Sequence, residues 1–125
     1  MQFKPKVRTV IEIGGQDSKL IVVRDGLVAG FGMNSVCAAG TGSFLEESAA
    51  VDMRIPVKKI SGIAEKSIRP IAFGERCAAF INTDLRNALQ QGADREDVIA
   101  GLVYSIADNY ISRIVGSRHI GETVL

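Results

Sequence analysis

With 125 residues, 46% of them hydrophobic, the chain is long enough for one domain with its own apolar core and needs no disulfide framework. Its 15 basic and 14 acidic residues leave a formal charge of +1, which excludes a function built on electrostatic capture of nucleic acid or of an anionic membrane. The 2 cysteines, Cys37 and Cys77, sit in a sequence without a signal-like start, and the longest nearly apolar run, Val98 to Ala107, is shorter than the roughly 20 residues a bilayer requires. A cytoplasmic protein is expected.

The first third reads as strands. VRTVIEI (Val7 to Ile13), SKLIVVR (Ser18 to Arg24) and LVAGFGM (Leu27 to Met33) are rich in β-branched and apolar residues. Asp25-Gly26 joins the second and third as a two-residue hairpin, because both positions tolerate positive φ, so those strands are expected to be antiparallel neighbours. The turn Gly14-Gly15-Gln16-Asp17 is longer. Its unhindered backbone and its carboxylate suit close approach to a phosphate, although a Gly-Gly turn on its own is more often only a turn.

Helical spacing begins after Cys37, with Phe44, Leu45, Ser48, Ala49 and Val51 on one face and Glu46 and Glu47 on the other. A shorter helical stretch is expected from Pro56 to Ser67, closed by Arg69-Pro70. Cys77 opens a third helix whose stripe is Ile81, Leu85, Ala88 and Leu89 and whose stop is Gly92. The last helix has Asp94 as N-cap, Asp97 three residues on, an apolar face of Val98, Leu102, Val103, Ile106, Tyr110 and Ile114, and Gly116 at its end. Met33, Phe80 and Tyr104 are expected in the core, His119 on the surface, and the charged runs DREDV and VKKI on solvated helix faces. Sheet first and helices afterwards gives an α/β single domain. Thr123-Val124-Leu125 looks like the start of another strand, so the chain is expected to be a piece of a longer protein.

Both cysteines precede helices. A helix N-terminus presents unpaired amides and a partial positive charge, which stabilise a thiolate and improve it as a metal ligand. Four-iron clusters usually take four thiolates; a chain offering two is completed most simply by a second copy, giving one cluster per homodimer. By spacing alone the pair reads more readily as small buried hydrophobic residues. Closed zinc sites and Cys-His hydrolases fit poorly, because there is 1 histidine and no motif around it.

At IEIGGQDSK, MNSVCAAGTGSFLEESA and FGERCAAF taken together, the sequence resembles the ATP-dependent activators of 2-hydroxyacyl-CoA dehydratases, a group that includes the ATPase subunits of benzoyl-CoA reductases. The resemblance runs on through AGLVYSIADNY to the end of the chain. It implies a ribonuclease-H-like, actin-like ATPase half-domain and a cofactor pair of ATP with Mg2+ and a [4Fe-4S] cluster shared between two subunits. By this resemblance Gly14, Gly15, Gln16, Asp17, Ser18 and Lys19 correspond to the second phosphate loop, and Gly40, Thr41 and Gly42 lie close to a cofactor. Cys37 and Cys77 correspond to the cluster ligands. Glu12 and Asp17 are the catalytic carboxylates, Glu12 standing where many relatives have Asp.

The resemblance further implies a homodimer joined through the cluster and a 2-hydroxyacyl-CoA dehydratase as partner, into which ATP binding and hydrolysis drive one electron. Neither the first phosphate loop nor the adenosine loop is found, so the chain is expected to bind ATP weakly by itself. Two other functions stay open from the residues: an actin-like interaction or regulatory domain without a cluster, and half of an actin-like small-molecule kinase.

Overall fold

The computed structural model describes residues 6–33, 41–74 and 77–125; Cys37 and Gly40 fall outside them. Three strands, β1 (Thr9–Ile13), β2 (Ser18–Arg24) and β3 (Leu27–Met33), form a sheet in the order β1-β2-β3. Both pairings are antiparallel. Asp25 and Gly26 take φ of 53° and 77°, the doubly left-handed turn that matches the twist of a tight hairpin. The expected continuation at the chain's end is present. Val124 bridges Thr9 in parallel, with the Ile11 amide donating to the Leu125 carbonyl at 2.8 Å and the Leu125 amide to the Thr9 carbonyl at 2.9 Å.

Four α-helices follow: α1 (Gly42–Met53), α2 (Ile60–Ala64), α3 (Ala78–Gln90) and α4 (Arg95–Tyr110). The stretch expected as one helix from Pro56 to Ser67 divides into a 3-10 turn, Val57–Lys59, and the short α2. Only Ile60 there is buried, too small an apolar face to hold a longer helix by packing. α3 ends as expected, with Gly92 at φ 83°.

α4 is the centre of the molecule. Val98, Ile99 and Leu102 are wholly buried with Ile81, Leu85, Phe44 and Ile60 in a helical core, each such side chain contributing about 1.5–3 kcal/mol over the exposed state. Past Tyr110 the helix widens into a π turn, Ile111–Val115, whose Ile114 and Val115 join Tyr110 and Leu20 in a second core beneath the sheet. The helical run Arg95–Val115 is long and apolar enough to cross a membrane, but 61% of its most apolar 18 residues are buried within the fold; it packs as the core helix between sheet and bundle.

Several expectations are corrected. Val51, Phe80, Tyr104 and Met33 are 67%, 64%, 61% and 50% exposed, not core, because α1, α3 and α4 and the sheet each have one face that no described residue covers. Val103 is 38% exposed on the same grounds. Asp94 precedes α4 but makes no side-chain capping bond. Asp97 is not merely solvated: its carboxylate accepts from the Ser67 hydroxyl at 2.6 Å and the Arg69 amide at 3.1 Å. Those two bonds fasten the segment after α2 to the start of α4 and hold the Asp97 carboxyl below its ordinary pKa, the Ser67 bond foremost.

Candidate functional site: a glycine turn joined to a helix start

The Gly14–Asp17 turn leads from β1 into β2, where Ile13 pairs with Ser18. The Gly14 amide donates to the Asp17 carbonyl at 2.8 Å, closing the turn. Glycine is required at its first position, since a Cβ there would stand 2.7 Å from that carbonyl oxygen and 3.3 Å from Asp17 Oδ1. Gly15 and Gln16 are exposed and Ser18 is wholly buried.

Glu12 and Lys19 are cross-strand partners, which places their side chains together. The Lys19 ammonium lies 3.4 Å from Asp17 Oδ2 and 3.9 Å from Glu12 Oε1. One cation thus sits between two carboxylates beside an open glycine turn, an arrangement able to share its charge with an incoming phosphate. Beneath it the Tyr110 hydroxyl donates to the Lys19 carbonyl at 2.6 Å. Burial raises the pKa of that hydroxyl, so it remains a donor at neutral pH. Nothing in the sequence marks Tyr110 for this role, because its partner lies 91 positions away.

The other half of the site is the start of α1. Its Gly42 amide donates to the Gly14 carbonyl at 2.9 Å and its Ser43 amide to the Gly15 carbonyl at 2.8 Å. Free amides were expected at this helix start; two of them are instead occupied by the carbonyls of Gly14 and Gly15, so the glycine turn acts as the helix's cap. Thr41 is buried at the N-cap position without a side-chain capping bond. Gly42 permits the close approach, a Cβ there meeting the Gly14 oxygen at 3.2 Å.

Cys77 is exposed, against the small buried hydrophobe that spacing favoured. It occupies the N-cap of α3, and its carbonyl accepts from the Phe80 and Ile81 amides at 3.0 and 3.1 Å. The Ser48 hydroxyl donates to Asn82 Oδ1 at 3.0 Å, and Arg86 Nε donates to Asp52 Oδ1 at 2.8 Å. Both pairs are 34 residues apart, so α1 and α3 run parallel and begin at the same end of the molecule. Cys37 lies outside the described residues. No group of three or more His, Cys, Asp or Glu side chains gathers among the described residues, so these residues of one chain do not close a metal site alone.

A three-stranded antiparallel sheet whose glycine turn caps a helix, followed by further helices, matches one half of the actin-like ATPase fold. The chain belongs to the BadF/BadG/BcrA/BcrD ATPase family, whose model matches residues 1–125. It is 39% identical over 112 residues to the (R)-2-hydroxyglutaryl-CoA dehydratase activating ATPase of Acidaminococcus fermentans, covering 90% of this chain and 41% of that protein. It is 33% identical over 120 residues to the 2-hydroxyisocaproyl-CoA dehydratase activator of Clostridioides difficile, covering 93% and 45%.

Among solved structures, the activator of the 2-hydroxyisocaproyl-CoA dehydratase from Clostridium difficile with bound ADPNP superposes with a TM-score of 0.89 at 32% identity, over 97% of this chain and 45% of that one. Component A of the Acidaminococcus fermentans (R)-2-hydroxyglutaryl-CoA dehydratase gives 0.88 at 37% identity, over 96% and 46%. The chain therefore spans less than half the length of each of these relatives.

Proposed function

We propose that these residues form part of an ATP-driven iron–sulfur activator of a 2-hydroxyacyl-CoA dehydratase, working in the cytoplasm as a homodimer. The observation that carries this reading is the joint of Gly14 and Gly15 with the start of α1, at the end of the molecule where Cys77 also stands. In this reading nucleotide chemistry and thiol chemistry share one domain. The activators named above, and the ADPNP bound to one of them, support the nucleotide and the partner.

In this reading Gly14, Gly15 and Gln16 offer backbone to the ATP phosphates while Lys19 neutralises them. Ser18 holds the start of β2 behind the turn, and Asp17 and Glu12 would hold Mg2+ and orient the attacking water. Gly40, Thr41 and Gly42 carry the turn's position into α1. Cys37 and Cys77 are the ligands through which two copies share a [4Fe-4S] cluster. An exposed thiol at the positive end of α3 fits such a ligand. When bound, a cluster of this kind supplies one-electron transfer.

The test is ATP-dependent reduction of the cognate dehydratase by the reduced, anaerobically purified protein that carries these residues. The reading predicts electron delivery with ATP, little without it, and loss of the ATP dependence in Lys19→Met. Equal delivery with and without ATP counts against it.

A further inference from the structure

At the opposite end of the sheet from the Gly14–Asp17 turn lies a groove of about 790 Å³, a size typical of small-molecule sites. The length of β1 separates the two, about 17 Å at the usual rise per strand residue. Cations reach the groove from three parts of the chain: Lys6 and Arg8 at the entrance to β1, Arg24 at the end of β2, and Arg118 after the π turn, with His119 beside it in the lining. Among the described residues of its lining Glu122 is the only carboxylate. The ion pairs among the described residues lie elsewhere, Lys19 with Glu12 and Asp17 and Arg86 with Asp52. Like charges gathered in one concavity repel each other and raise the local concentration of small anions.

The groove is also shaped in advance. Arg118 is held by its own Nη1, which donates to the Ile114 carbonyl at 3.0 Å. Its guanidinium lies over Gly32, where a Cβ would stand 3.3 Å from Cζ. The far wall is pinned by the Gly121 amide, which donates to Thr9 Oγ1 at 2.8 Å. Any side chain at Gly121 would press on Arg8, Cβ to Cβ, at 2.5 Å. The floor carries a β-bulge: Val22 pairs with Gly30 and Val23 with Val28, leaving Ala29 without a partner. Bulges of this kind re-aim side chains beside binding sites.

We propose that this groove is a second anion site, taking a small molecule with two or more linked phosphoryl groups. Planar guanidinium forks match phosphoryl oxygens in pairs. Among the described lining residues stand three guanidinium groups and one ammonium, those of Arg8, Arg24, Arg118 and Lys6, so the phosphoryl groups carry recognition.

The experiment fills the nucleotide site of the protein carrying these residues with ADPNP and Mg2+, then titrates inorganic pyrophosphate calorimetrically at about 0.1 M salt. The expected result is saturable binding that weakens about tenfold or more in Arg8→Glu and in Arg24→Glu, and changes less than about twofold in Lys19→Met. Competition by coenzyme A below the pyrophosphate concentration assigns the phosphoryl groups to a coenzyme; weaker competition assigns them to a free anion. Absence of saturable binding, binding indifferent to both arginine variants, or binding abolished by Lys19→Met overturns the proposal. A protein that fails to bind ADPNP but binds pyrophosphate at Arg8 and Arg24 contradicts the ATPase reading alone.

Discussion

The carbonyl oxygen of Gly14 accepts the amide of Gly42 at 2.9 Å, so the glycine turn proposed to take phosphate and the helix that follows the first cysteine motif share a backbone joint. A ligand that shifts the turn must move the first residue of α1 or break that bond, which ties the two sites mechanically.

The joint predicts a graded response to added methyl groups. Gly14→Ala, with its Cβ 2.7 Å from the Asp17 carbonyl, is expected to destabilise the fold by about 1–3 kcal/mol and to weaken ADPNP binding about tenfold. Gly42→Ala, where the contact is 3.2 Å, is expected to do less of both. Urea unfolding and calorimetric titration of the two variants check the order.

Lys19→Met separates binding from stability. Surface ion pairs contribute about 0–1 kcal/mol, and Lys19, Asp17 and Glu12 are partly exposed, at 29%, 47% and 50%. The thermal midpoint is therefore expected to move little. Nucleotide affinity, by contrast, is expected to fall at least about tenfold, since two carboxylates are left facing the phosphates without their cation. Unchanged affinity would remove Lys19 from the site.

Two glycines in helices are expected to answer oppositely to alanine. At Gly101 a Cβ would stand 3.0 Å from the Ile71 carbonyl carbon and amide nitrogen, where the 71–74 segment crosses α4, and Gly101→Ala is expected to cost about 1–3 kcal/mol. At Gly62 nothing lies within 4 Å, and Gly62→Ala is expected to stabilise by about 0.4–1 kcal/mol. Thermal unfolding of both variants gives the comparison.

Asp97 predicts a feature on the acid side. Its folded pKa is lowered, by the Ser67 hydroxyl first and the Arg69 amide next. A depressed carboxylate contributes stability that is complete above its unfolded value and is lost as pH falls through the folded one, that is, from about pH 4 downward. Asp97→Asn is expected to lower the melting temperature at neutral pH and to flatten its decline below about pH 4. Parallel curves for both proteins would contradict this.

What the sequence made legible was local. Asp25-Gly26 declared its hairpin because two adjacent residues determine that turn, and the tendency of Thr123 to Leu125 to pair with β1 was visible in their residue types, though it amounts to a single bridge at Val124. Contacts between distant segments were not legible. The Tyr110 bond to Lys19 and the Gly42 bond to Gly14 join positions that no periodicity relates. Phe80 and Tyr104 read as core because apolar spacing reports which residues are apolar, not which helix faces are covered. Asp97 looked like solvated charge because Ser67 and Arg69 arrive from another segment. Cys77 at a helix start was readable from pattern; its exposure required the fold.

The most direct measurement of the central claim is the iron content and mass of the protein after anaerobic reconstitution with iron and sulfide, compared with Cys37→Ser and Cys77→Ser. One four-iron cluster bridging a dimer predicts roughly two iron atoms per chain in the parent protein, with most of the iron lost in each variant. A parent protein without iron, or a Cys77→Ser variant that keeps all of it, would contradict the account.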